Sequence, residues 1–100
     1  MAIRLDKWLW HARFFRSRGL AAEAVASGRI RVNGTISRKP AHLLRSGDTL
    51  TFVLGDRVRL VRMLSAGLRR GPAAEAQALY ADLDQSRHGE STSAAPAALE

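Results

Sequence analysis

From Leu5 onward the apolar residues fall at Leu5, Trp8, Leu9, Ala12 and Phe15, the three-and-four spacing of one helical face, and Asp6 places a carboxylate where a helix N-terminus favours negative charge. A first helix is predicted here. Trp10 and Phe14, four residues apart, lie on another side of the same helix among Lys7, His11 and Arg13. Ser17 has the character of an N-cap, and the apolar run over residues 20–26, followed by Gly28, predicts a short alanine-rich helix with a glycine stop. After Gly28 the period changes to two, so that Ile30 and Val32 face a core while Arg29 and Arg31 face outward together. Asn33-Gly34 is a strong hairpin signal, because a type I′ turn needs positive φ at both central positions, and residues 35–37 return as the partner strand until Pro40.

A loop through Arg45 leads to the turn Ser46-Gly47-Asp48, after which Leu50, Phe52 and Leu54 alternate with Thr49, Thr51 and Val53 as a further strand. Gly55-Asp56 turns the chain again. Val58 and Leu60 then alternate with Arg57 and Arg59 in a last strand, which slips out of phase over residues 61–63, as at a bulge. Residues 67–71 form a basic link, and Pro72 suits the first turn of a helix over residues 72–83, whose Ala76, Leu79, Tyr80 and Leu83 share one face that docks on the sheet. From Asp84 the composition is Ser, Ala, Gly, Pro and charge without periodicity, and residues 84–100 are expected to be disordered because they cannot bury enough apolar surface to offset ordering entropy. The expected fold class is α+β: one small domain over residues 3–64 with two N-terminal helices packed on a small antiparallel sheet, then the short C-terminal helix and the tail.

Composition narrows the function. The 100 residues carry 16 Lys plus Arg against nine Asp plus Glu, a formal charge of +7, and no cysteine. A disulfide framework, a thiolate zinc site and a cysteine nucleophile are thereby excluded. No stretch approaches the roughly 20 apolar residues of a membrane span or has the apolar core of a signal peptide, so the expected location is the cytoplasm. Residues 1–45 hold ten cations and two acids, whereas residues 71–100 hold one cation and five acids. One-signed charge of this kind is the pattern of a polyanion-binding surface.

Catalytic clusters are missing from the pattern. His11, His42 and His88 have no second ligand at metal spacing, the glycines match neither a phosphate-binding loop nor a dinucleotide fingerprint, and Asp48 and Asp56 are turn residues. No enzyme activity, metal or cofactor is expected. The basic constellation is the stronger feature: Arg4 and Lys7 at the start of the first helix, Arg13, Arg16 and Arg18 at the corner, and Arg29 and Arg31 on the first strand. Arg13, Arg16 and Arg18 bracket the N-terminus of the second helix, where the Ser17 hydroxyl and unpaired backbone amides favour an anion such as a phosphate. Trp8 and Phe15 read as core, while Trp10 and Phe14 either pack on the C-terminal helix or offer a stacking platform for an unpaired base. The strands and strong turns argue against a helix that merely lies on a membrane.

The series Arg4-Leu5-Asp6-Lys7, Arg16-Ser17-Arg18, Gly28-Arg29-Ile30-Arg31-Val32-Asn33-Gly34, Lys39-Pro40 and Ser46-Gly47-Asp48 resembles the RNA-binding domain named after ribosomal small-subunit protein S-four, the αL motif. Leu5-Asp6-Lys7-Trp8-Leu9-Trp10, Ala12-Arg13-Phe14, Pro72-Ala73-Ala74-Glu75-Ala76 and Leu79-Tyr80 extend the likeness toward the family of ribosome-associated fifteen-kilodalton heat shock proteins. The resemblance implies a noncatalytic, stress-related protein that binds structured ribosomal RNA of the large ribosomal subunit, in recycling or rescue of stalled or dissociated subunits, with transfer RNA as a further contact; a monomer is expected. Carried onto this sequence, the RNA-binding positions are Arg4, Lys7, Arg13, Arg16, Ser17 and Arg18, with Arg29, Arg31, Asn33, Arg38 and Lys39 along the strand and hairpin. Asp6 orders the corner. Those relatives continue into a long basic helical extension where this sequence has an acidic, alanine-rich tail. Competing expectations are a DNA-binding module, a module for an acidic protein, and a short quality-control factor of the same domain type that binds obstructed large subunits and transfer RNA. The domain type also occurs fused to pseudouridine synthases and tyrosyl-tRNA synthetases, whose catalytic parts have no counterpart in these residues.

Overall fold

In the computed structural model, residues 2–83 are described. The chain runs β1 (Ala2–Arg4), α1 (Leu5–His11), α2 (Arg18–Ala26), β2 (Ile30–Val32), β3 (Thr35–Ser37), β4 (Leu43–Arg45), β5 (Thr49–Leu54), β6 (Arg57–Met63), α3 (Ala73–Gln77) and β7 (Tyr80–Asp82). An antiparallel five-stranded sheet has the order β3-β2-β5-β6-β7, and β1 pairs with β4 in a second, two-stranded sheet. This is the α+β architecture that the change of period implies.

Both helices end in the same way. In α1, Phe14 N–H donates to Leu9 O and Arg13 N–H to Trp10 O; in α2, Arg29 N–H donates to Ala24 O and Gly28 N–H to Val25 O. This is the Schellman pattern, which needs a residue of positive φ just beyond the helix. Gly28 supplies it at φ +80°, but in α1 the position is held by Arg13 at φ +66°. The first helix therefore stops at His11 instead of running on through Phe15. Its predicted face still holds, with Leu5, Trp8 and Leu9 fully buried and Ala12 nearly so. The hairpin turn also forms as its dipeptide predicts, with Asn33 at φ +52°, Gly34 at φ +86° and Val32 opposite Thr35.

Three further expectations need correction. The segment read as a loop before Arg45 contains β4, whose Leu44 lies opposite Ile3 and is fully buried. The last strand has the opposite phase and no bulge: β5 and β6 pair without interruption from Thr49↔Arg62 to Leu54↔Arg57, so Val61 and Met63 face the core while Val58 is 55% exposed. Arg59, opposite Phe52, thus lies on the inner side, and its guanidinium covers the Phe14 ring. Finally, the C-terminal helix is only five residues long, and Tyr80 belongs to β7, not to a helical face. The edge of β6 explains this change, because a continued helix would leave it unpaired. β7 joins that edge with Met63 opposite Tyr80, and Arg59 Nη2 bonds Asp82 Oδ2 at 2.9 Å. The expected disordered tail, residues 84–100, lies outside the described residues.

The core lies between the helical pair and the inner sheet face, and its aromatic members are Trp8, Phe52, Phe14, Phe15 and Tyr80. Phe14 meets Phe52 at 5.0 Å and Tyr80 at 4.7 Å between ring centroids, so it packs on the sheet and β7. No described helix is long and apolar enough to cross a membrane.

Candidate nucleic-acid interface

Asp6 organises the start of both helices. Its carboxylate is nearly buried, accepts Arg4 through Nε and Nη2 at 3.2 Å each, accepts Lys7 N–H at 2.8 Å, and meets Arg18 Nε at 3.4 Å. Both guanidinium side chains stay more than 40% exposed, so one carboxylate holds two cations while leaving their outer edges in water. The N–H groups of Leu5 and Asp6 bond His42 O and Pro40 O, which draws the Lys39-Pro40 segment against the same end of α1.

At the adjacent corner Ser17 caps α2, its Oγ accepting Leu20 N–H at 3.1 Å. The first-turn amides of Arg18 and Gly19 have no acceptor among the described residues, as the geometry of a helix start requires. Arg16 is exposed in the loop just before the cap. Arg4, Arg16, Arg18, Lys39 and half-buried Lys7 thus belong to the parts of the chain that meet at this corner.

A second group borders the end of α2. Arg29 is exposed, and the Arg38 guanidinium lies so close over Gly28 that a Cβ there would fall 2.5 Å from its Nη1. This position complements the negative end of the helix dipole. Arg31 points from the outer sheet face and donates to Gly34 O at 3.3 Å.

Not every candidate is equally available. Arg13 Nη1 donates to Gly71 O at 2.8 Å, tying the C-terminal segment to the corner. The Asn33 side chain donates to Asp48 Oδ1 and accepts from both N–H and Oγ1 of Thr49, so it splices the hairpin to β5. The Ser17 hydroxyl oxygen is likewise engaged by the cap. One basic residue escaped the sequence reading: Arg70 donates to Trp10 O and Phe15 O and sits 6.0 Å from the Trp10 ring centroid. Its only signal is the Arg69-Arg70 pair before Gly71.

Carboxylates near these cations are few. The ten cations of residues 1–45 face only Asp6 and Glu23 within that stretch, whereas Arg59 and Arg69 are paired with Asp82 and Glu75. His11 is buried against Ala66 O, and Trp8 Nε1 donates to Ser65 O, so both serve to dock the link after β6. Among the described residues no three His, Asp or Glu side chains come together as a metal site.

The S4 domain family model matches residues 3–50. Heat shock protein 15 of Escherichia coli (strain K12) is 40% identical over 84 residues, which is 84% of this chain and 62% of that protein, so the chain spans less than two thirds of that relative's length. The RQC P-site tRNA stabilizing factor of Listeria innocua serovar 6a is 33% identical over 91 residues, covering 89% of this chain and 95% of that protein. Among solved structures, the trimeric heat shock protein 15 of Vibrio cholerae superposes with a TM-score of 0.80 at 35% identity, covering 86% of each chain.

Proposed function

Since the chain belongs to the heat shock protein 15 family of S4-domain proteins, we propose that it is a noncatalytic RNA-binding protein of the cytoplasm that grips structured ribosomal RNA of the large ribosomal subunit. The observation that carries the reading is the Asp6 clamp, which holds Arg4 and Arg18 beside the open first turn of α2. Two guanidinium groups held on one carboxylate, close to the two unpaired amides of the first turn of α2, suit a phosphate, the group that dominates protein–nucleic acid affinity. Arg16, Lys7 and Lys39 extend the grip around the corner, and Arg29, Arg31 and Arg38 extend it along the strand and hairpin. Arg13, Ser17 and Asn33 support that surface through their engaged side chains. The cellular role is recycling or rescue of stalled or dissociated subunits.

The test is sucrose-gradient sedimentation of lysate containing the tagged protein and its Arg16→Ala/Arg18→Ala double variant, at low and moderate salt. Comigration with free large subunits that the double variant loses is the expected result. A protein that stays at the top of the gradient in every condition overturns the ribosomal target. A second reading rests on the match that spans 95% of the RQC P-site tRNA stabilizing factor: contact with transfer RNA on an obstructed large subunit. Preferential sedimentation with subunits that carry peptidyl-tRNA over empty ones distinguishes it. Competition between duplex DNA and folded RNA separates both from a DNA-binding module, since RNA shape and 2′-hydroxyls should win.

A further inference from the structure

The two tryptophans of the chain occupy opposite situations. Trp8 is fully buried, with its indole N–H bonded to Ser65 O, and belongs to the core. Trp10, two residues on, is half-buried and stands apart from the core cluster that takes in Trp8, Phe14 and Phe15. Its protein partners among the described residues are the neighbouring His11 ring at 5.8 Å and the Arg70 guanidinium at 6.0 Å from its centroid. The helical repeat puts Lys7, three residues earlier, on the same side of α1.

Arg70 is held in place from the main chain, with Nε on Trp10 O and Nη2 on Phe15 O, while its Nη1 has no partner among the described residues. A partly open indole ring with a pinned guanidinium carrying a spare donor against it, and a lysine three residues earlier on the same side of the helix, has the composition of a base-stacking site with a phosphate contact beside it. The other aromatic-and-arginine cleft of the molecule, lined by Arg13, Phe14, Arg59 and Tyr80, is less suited. Its guanidinium groups are committed to Gly71 O and Asp82, and its rings to one another.

We propose that Trp10, with Arg70 against its ring, is the stacking platform for an unpaired nucleobase of the bound RNA, with Arg70 Nη1 contacting the adjoining phosphate. This rests on the RNA-binding reading and adds to it a preference for RNA in which a base is free of its helix. An unpaired base has a π-face to offer, whereas a base inside a continuous duplex does not.

The full chain is titrated with two RNA hairpins of equal length, one with a single unpaired purine in its stem and one fully paired. Affinity is followed by fluorescence polarisation of labelled RNA, and Trp10 by intrinsic fluorescence, since Trp8 is shielded. The expected results are quenching by the bulged hairpin and a loss of about tenfold in its affinity for Trp10→Ala, with little loss for the paired hairpin and an unchanged salt dependence. Trp10→Phe retains a stacking ring and should keep most of the affinity, which separates stacking from a folding defect. Bulged RNA that binds without quenching, or that binds Trp10→Ala as tightly as wild type, overturns the proposal while leaving the RNA-binding reading intact. Failure of the wild-type chain to bind either hairpin, or any structured RNA of the large subunit, overturns both.

Discussion

Asp6 and Arg16 are both charged but differ in their surroundings: the first is 3% exposed and accepts bonds from two guanidinium groups and a backbone amide, while the second is exposed in a loop. Removing the carboxylate leaves Arg4 and Arg18 facing each other with no counter-charge and strips Lys7 N–H of its acceptor. Asp6→Ala is therefore expected to lower stability by about 1–3 kcal/mol, read as a lower melting temperature. Arg16→Ala should melt like wild type and bind structured RNA more weakly. Equal melting losses for the two variants would contradict this division of roles. Glu75 is a milder case. The hydrogen bond from Arg69 holds its carboxyl below the usual carboxylate range, so the pair stabilises the fold above the ordinary glutamate pKa and the effect is lost as pH falls through the lowered value. Both partners are open to solvent, and Glu75→Gln should leave the melting temperature at neutral pH almost unchanged.

Among the elements, the two helix stops were unequally legible. Gly28 announces its stop because glycine adopts positive φ without cost, but Arg13 does the same work with a side chain that ordinarily disfavours it. Local pattern therefore carried the first helix too far, and the aromatic packing of Phe14 together with the Arg13 bond to Gly71 O compensates the strain. Gly28→Ala and Gly34→Ala, both at positive φ, are each expected to cost about 1–2 kcal/mol in urea unfolding. They should part company in RNA binding. A Cβ at Gly28 displaces the Arg38 guanidinium, whereas nothing lies within 4 Å of one at Gly34. Weaker RNA binding by Gly28→Ala alone is the expected outcome, and equal binding by the two would remove Arg38 from the interface. Strands β1 and β4 escaped notice because three residues are too few to display a period.

At the scale of the whole molecule the charge is strongly positive, +7 over 100 residues, and its consequence is measurable without knowing which RNA element is bound. If six to ten phosphates are neutralised, affinity for structured RNA should fall by about 10³- to 10⁵-fold between about 50 and 200 mM salt, somewhat less for folded RNA than for B-form DNA. An affinity independent of salt would count against the phosphate-gripping surface. The basic corner and the C-terminal segment are also mechanically joined, through Arg13 to Gly71 O and Arg70 to Trp10 O and Phe15 O. The segment after β6 thus braces the surface formed by the first half of the chain.

Period, caps and turn dipeptides determined by themselves that two short helices precede an antiparallel sheet, that Ser17 and Gly28 bound the second helix, that Asn33-Gly34 turns a hairpin, and that the cations crowd the first half. These are local properties, set by residues a few positions apart. Tertiary structure alone decided the phase of β6, because pairing with β5 places Val61 and Met63 inward regardless of the Val58 and Leu60 alternation. It also decided that Tyr80 closes the sheet as a strand, since the need is created by the open edge of β6. The same holds for the division of the cations into those free to meet a phosphate and those, such as Arg13 and Arg59, committed to partners far along the chain. No local pattern encodes that division, because each partner is brought within reach only by folding.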